Sequence, residues 1–217
     1  MSTASDTIKL HVEDLGTGAP ALVFLHYWGG SSRTWRHVTQ ALAPAFRTIA
    51  VDQRGWGRSD KPVAGYTLAG LVLVAPSPPS PMGVPLEIRQ GMVQAYDTRD
   101  SIIATVRQVL ARTPLAPDDL EQVVTDSLQG APAARLAWPL EASQEDITAQ
   151  AAQIRVPTLV VSGEEDRVDP PAVLRQELMP RIPQARLHLL PGIGHLSPLE
   201  APDDLADLIR SFATPLI

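Results

Sequence analysis

The apolar positions of this chain alternate between two kinds of run. Ile8 to Val12 alternates apolar with polar residues, the period-two mark of a half-buried strand. Ala21-Leu22-Val23-Phe24-Leu25 is continuously apolar, as a strand covered on both faces would be. Gly29 and Gly30 break that run. Ser31 or Ser32 is placed to cap a helix in which Trp35, Val38 and Leu42 recur at helical spacing. Thr48-Ile49-Ala50-Val51 is the next strand, ending at Asp52, and Leu71-Val72-Leu73-Val74 is a further buried one.

From about Val84 to Ile154 the pattern is helical, interrupted by proline and glycine. Ile102, Val106, Val109 and Leu110 form one apolar face; Leu120, Val123, Val124 and Leu128 form a second. Thr158-Leu159-Val160-Val161 and Leu187-His188-Leu189-Leu190 restore the strands. Leu205, Leu208, Ile209 and Phe212 mark a closing helix, with Asp203 and Asp204 near its start, where negative charge is favourable. Strands alternating with helices predict an α/β fold with a mostly parallel sheet flanked by helices. Residues 1–76 and 155–217 are expected to form this core, and residues 77–154 an inserted helical cap. There is no internal repeat. Pro76-Ser77-Pro78-Pro79-Ser80-Pro81, with nearby Pro85, reads as an extended connector.

Composition narrows the function classes. The 217 residues suffice for one domain with a sizeable core. The net charge is −6, with both signs mixed along the chain, which points away from nucleic acid and from a membrane surface. The absence of cysteine excludes disulfides, thiolate catalysis and cysteine-ligated metal. The first residues lack the basic and apolar regions of a signal peptide, and the longest apolar run, about Ala69 to Pro76, is far short of the roughly 20 residues that span a bilayer. A soluble, cytoplasmic protein is expected. Asp and His are scattered, without a metal constellation, and no phosphate-binding glycine loop occurs, so no cofactor is expected. Composition does not set the oligomeric state.

Four motifs carry the chemistry: Phe24-Leu25-His26-Tyr27-Trp28-Gly29-Gly30-Ser31, Val51-Asp52-Gln53-Arg54-Gly55-Trp56-Gly57-Arg58-Ser59-Asp60, Gly163-Glu164-Glu165-Asp166 and Gly192-Ile193-Gly194-His195. Together they resemble the α/β-hydrolase superfamily, in its bacterial esterase, lactonase and non-haem haloperoxidase-like group. The resemblance implies an α/β-hydrolase fold, with His195 as the base that shuttles the nucleophile's proton and Asp166 as the acid that orients it. Asp169 and Glu165 are rivals for the acid. Trp28 matches the residue whose backbone N–H forms half of an oxyanion hole, although Tyr27 stands where the family has glycine. His26 is expected to shape its loop, and Arg54 to tie loops together. Trp28, Trp56 and Trp138 are candidates to line a pocket for a small apolar ester-like substrate, with ordinary packing an equal reading for Trp138.

One part of the pattern is missing. Between the early and late motifs the superfamily places a strand, a G-x-S-x-G elbow and a helix. Here Tyr66-Thr67-Leu68-Ala69 runs directly into Gly70-Leu71, and no G-x-S-x-G occurs in the chain. About 18 residues separate Asp52 from Leu71. That is too few for a further βαβ unit of roughly 30 residues, though a crossover needs only about a dozen. The strands at 21–25 and 71–74 are therefore expected either to pair across the gap or to remain as two unpaired edges.

Loss of a nucleophile costs about 10⁶ in turnover, or roughly 8 kcal/mol of barrier. The parent activity implied is hydrolysis of a small carboxylic ester or lactone through an acyl-enzyme. Little or none of it is expected here. The alternatives are a deleted form without independent function, a small-molecule-binding or scaffold protein, and an active hydrolase with a relocated serine. Ser77, after a strand end, is the best-placed substitute, but Pro78 has no N–H to give an oxyanion. Ser31 and Ser32 read as helix-start residues, and Ser127 as part of a cap helix.

Overall fold

The computed structural model describes residues 10–53, 56–59 and 70–216. The start of the expected first strand, Arg54, and Tyr66 to Ala69 lie outside the described residues. In chain order the elements are β1 (Val12–Leu15), β2 (Ala21–Leu25), α1 (Arg36–Leu42), β3 (Arg47–Val51) and β4 (Leu71–Val74). Helices α2 (Leu86–Gln94), α3 (Arg99–Thr105), α4 (Pro117–Leu128), α5 (Pro132–Leu140) and α6 (Thr148–Ala151) follow. β5 (Thr158–Gly163), α7 (Pro171–Val173), β6 (Ala185–Leu190), α8 (Ser197–Glu200) and α9 (Pro202–Ala213) complete the chain. Proline opens α4, α5 and α9 at the first helical position, where its missing N–H costs nothing and its fixed φ suits the helix.

The strands form two three-stranded sheets, ordered β1-β3-β2 and β4-β5-β6. β2 runs parallel to β3, β1 antiparallel to it, and β4, β5 and β6 run parallel. The expected pairing of β2 with β4 across the gap is not made, and among the described residues each of the two strands lies at the end of its sheet. The halves are joined through their core instead. Phe24, Trp35, Val38, Leu42 and Phe46 from the first half pack in one cluster with Leu159, Val161, Leu190, Leu205 and Ile209 from the second. Apolar packing is non-directional, so α1 and α9 can bridge the two sheets without a continuous ladder.

The faces of the two sheets differ. β5 is buried along its whole length. Its second face is covered by Leu174, Leu178 and Ile182, which pack on Val160. β2 is covered on one face only: Phe24 is buried, while Val23 and Leu25 are 51% and 58% exposed. The expectation of a strand covered on both faces is corrected here, because α1 and α9 take the Leu22 and Phe24 face and the described residues leave the other open. β4, expected to be buried, is half-buried along its length, and among the described residues only its β5 edge is paired.

The helices between β4 and β5 build their own cluster from Tyr96, Ile102, Val106, Leu110, Val123 and Val124, which continues into Leu196 and Leu199 beyond β6. Val109, expected on the apolar face, is exposed. The helix widens to a π-turn over Val106–Leu110, which changes the angular step per residue and rotates Val109 outward. Leu128, the last residue of α4, is also exposed.

Candidate active site

Parallel neighbours β5 and β6 end at Gly163 and Leu190, which are register partners. The loops after them therefore emerge side by side at the carboxyl end of the sheet, where sites in open α/β sheets are built. Glu164 N–H donates to Leu190 O at 2.9 Å and Glu165 N–H to Ile193 O at 3.0 Å, stitching the two loops together. A side chain at Gly163 would run into the carbonyls of Ile193 and Gly194, so only glycine permits this approach.

Asp166 and His195 meet across these loops. His195 Nδ1 lies 2.8 Å from Asp166 Oδ2, and both residues are buried. A carboxylate can only accept, so Nδ1 carries the proton and Nε2 is left as the basic nitrogen. The other carboxylate oxygen of Asp166 accepts from the N–H groups of Val168 (2.8 Å) and Asp169 (3.1 Å), which fixes its plane. The His195 N–H donates to Leu110 O at 2.7 Å, at the end of the π-turn. Glu200 reinforces this junction by accepting from Arg112 N–H (2.7 Å), Thr113 N–H (2.9 Å) and Gly194 N–H (3.1 Å). Sequence reasoning did not single out Glu200; its position five residues after His195 was the available signal.

The rivals of Asp166 fall elsewhere. Glu165 pairs with Arg112 at the surface. Asp169 is buried and accepts from the Ser77 hydroxyl at 2.8 Å. Burial pushes its pKa up to about 6 and Asp166 adds to the rise, while Ser77 and His195 pull against it. Ser77 thus reaches the neighbourhood of the pair, its proton directed to Asp169.

The loop after β2 is held by polar contacts. His26 Nδ1 lies 2.7 Å from Tyr27 O, and Nε2 accepts from Gln53 N–H at 2.8 Å, so a neutral ring joins the exits of β2 and β3. Burial depresses the His26 pKa and favours that neutral form. Asp52 accepts from Ser32 N–H (2.5 Å) and Arg58 N–H (2.7 Å). Burial raises its pKa, and these hydrogen bonds outweigh that to leave it lowered. Tyr27 is accommodated because the left-handed backbone of the turn falls on Gly29, at φ 94°. Ser31 caps the short 3₁₀ turn before α1 and donates to Asp126 Oδ2 at 2.7 Å, linking this loop to α4.

Trp28 sits edge-on to Tyr96 and Trp56, with ring centroids 4.6 and 5.5 Å away. Its indole N–H donates to Ala134 O at 3.2 Å. Trp138 lies one turn further along the same helix, α5, and is half-buried. Among the described residues no group accepts from the Trp28 backbone N–H, and no three His, Asp or Glu side chains converge as metal ligands would. Also among the described residues, no helix is long and apolar enough to cross a membrane.

Known proteins align with nearly the whole chain. A family model described as "Serine aminopeptidase, S33" matches residues 64–201. The AB hydrolase superfamily protein YisY of Bacillus subtilis is 23% identical over 258 aligned positions, covering 95% of this chain and 96% of that protein. Among solved structures, an esterase from Exiguobacterium antarcticum superposes with a TM-score of 0.83 at 19% identity, covering 97% of both chains. The enol-lactonase from Burkholderia xenovorans LB400 gives a TM-score of 0.76 at 20% identity, covering 96% of this chain and 98% of that one.

Proposed function

Because the chain belongs to the α/β-hydrolase superfamily, we propose that it retains the acid–base half of an ester or lactone hydrolase without the nucleophile, and turns such substrates over weakly or not at all. The observation that carries this reading is the Asp166–His195 hydrogen bond at 2.8 Å in a chain that contains no G-x-S-x-G. His195 Nε2 would take a proton from an attacking hydroxyl and return it to the leaving group, and Asp166 would stabilise the imidazolium. Trp28 N–H would give one oxyanion donor; the second, on the residue after the nucleophile, has no counterpart. The strand orders support the reading, since among the described residues β2 and β4 each end a sheet. So does the alignment with YisY, which is longer than this chain itself and so includes positions without a counterpart here.

In this reading residues 77–154 are a cap on a core of 1–76 and 155–217. Trp28 and Trp138 would border the substrate side of that cap, suited to a small apolar ligand. A second reading, a relocated nucleophile, is favoured by one contact: Ser77 Oγ lies 2.8 Å from Asp169, whose own N–H donates to Asp166.

Intact mass after exposure to a fluorophosphonate probe, with peptide mapping, tests both. No adduct on folded protein is expected. A stoichiometric adduct on Ser77, lost in His195→Ala, would replace the first reading with the second.

A further inference from the structure

We propose that Asp126 of α4 is a positioning residue for the Trp28 loop: by holding the Ser31 hydroxyl it fixes the turn that aims the Trp28 backbone N–H. The turn is Tyr27-Trp28-Gly29-Gly30, closed by the Gly30 N–H donating to Tyr27 O at 3.0 Å, with Gly29 at φ 94°. Two of its four residues are glycine, which leaves the free backbone many alternatives, so its direction has to be set from outside. Consecutive residues near the end of α4 do this. The Ser127 hydroxyl donates to Gly29 O at 3.4 Å, and Asp126 Oδ2 accepts from the Ser31 hydroxyl at 2.7 Å. The Ser31 oxygen also accepts from Arg33 N–H at 3.3 Å, so one hydroxyl ties the end of the turn to the 3₁₀ turn that follows and to α4. From the other side the core holds the same segment, through His26 with Gln53 and Ser32 with Asp52.

The placement of Asp126 is costly for α4 itself. It lies in the last turn of that helix, where the macrodipole disfavours negative charge. Burial pushes its carboxyl pKa up, and Ser31 and Arg33 pull against the rise. Among the described residues its side-chain partners are the Ser31 hydroxyl and Arg33 Nη1, the latter at 3.4 Å, both on the loop side. A carboxylate suits this pair because both of its oxygens accept, one from the hydroxyl and one from the guanidinium. Seven residues earlier, on the same face of α4, Asp119 pairs with Arg36 and lies 3.5 Å from His37 Nε2. α4 is thus fastened at both ends to the segment 31–37. With residues 77–154 read as a cap, a shift of α4 carries Ser31 with it, so the seating of the cap and the aim of the Trp28 N–H are coupled.

The inference rests on reading Trp28 as an oxyanion donor, and its test separates the two. Backbone amide exchange and amide chemical shifts are followed by NMR in the full chain, in Ser31→Ala, in Asp126→Ala and in Asp126→Asn. Exchange at Gly30, whose N–H closes the turn, should quicken about fivefold or more in Ser31→Ala and in Asp126→Ala. The Trp28 amide resonance should be displaced in both, while Val160 and Val161 in β5 keep their native rates. Asp126→Asn keeps an acceptor for the Ser31 hydroxyl and should restore most of the protection. Combining Ser31→Ala with Asp126→Ala should quicken exchange no further, since each removes the same bond. Native Gly30 exchange in a folded Asp126→Ala protein, or an asparagine variant as fast as the alanine one, would overturn the proposal. Should Asp126→Ala not fold, native exchange and an undisplaced Trp28 resonance in Ser31→Ala overturn it equally. Titration of the native protein with sodium benzoate, whose carboxylate mimics the oxyanion, judges the other reading. A Trp28 amide indifferent to benzoate sinks the donor role, whereas the Gly30 rates alone decide the role of Asp126.

Discussion

His195 Nδ1 and Asp166 Oδ2 are 2.8 Å apart, and the Asp166 side chain is fully buried. Removing the imidazole leaves the carboxylate with two backbone donors and one oxygen without its partner. His195→Ala is expected to lower stability by about 2 kcal/mol, read as a shift in the urea midpoint at pH 7. A change within about 0.5 kcal/mol, the range of ordinary surface substitutions, would mean the pair is not formed in solution.

Asp169 gives a stability effect of known sign. Its folded pKa, about 6, stands above the ordinary 3.8, so the folded state holds its proton more tightly than the unfolded chain does. The group's favourable contribution is complete below about pH 4 and lost as pH rises through 6. Asp169→Asn should therefore stabilise the protein at pH 7 by about 3 kcal/mol at most, with the gain shrinking to nothing between pH 6 and pH 4. Thermal unfolding across that range checks it; a gain independent of pH would assign the effect to something other than the charge.

Glu200 joins the His195 loop to the segment after α3 through three backbone N–H groups. Glu200→Ala leaves those donors without their charged acceptor and is expected to cost about 2–3 kcal/mol. Amide exchange should quicken at Gly194, Arg112 and Thr113 before it does in β5. Uniform quickening across the molecule would show only global destabilisation.

The open face of β2 can be tested against its closed face. Val23→Lys or Leu25→Lys should change stability by less than about 0.5 kcal/mol and reduce binding of a hydrophobic dye. Phe24→Ala, between them, should cost about 3–4 kcal/mol. Equal losses at all three positions would mean that the Val23 and Leu25 face is covered in solution.

The local pattern was legible wherever one element faces one core. Trp35, Val38 and Leu42 recur at helical spacing and are all buried, and Leu205 and Ile209 are buried on α9. It failed where the backbone departs from a regular period, as at Val109 on the π-turn, and where a second layer was assumed, as over Val23 and Leu25. An apolar run records what a strand can bury and does not record what lies on top of it.

The sequence by itself determined the family and the α/β alternation and pointed to His195 and Asp166 as a pair, because these depend on short motifs whose chemistry and turn geometry are local. It also determined that no G-x-S-x-G is present. Tertiary structure alone decided that β2 and β4 do not pair with each other, that Glu200 clamps the His195 loop and that Ser77 meets Asp169. The physical reason is distance along the chain. Residues some 90 positions apart meet only when the sheets and helices between them have packed, and no local pattern encodes that packing.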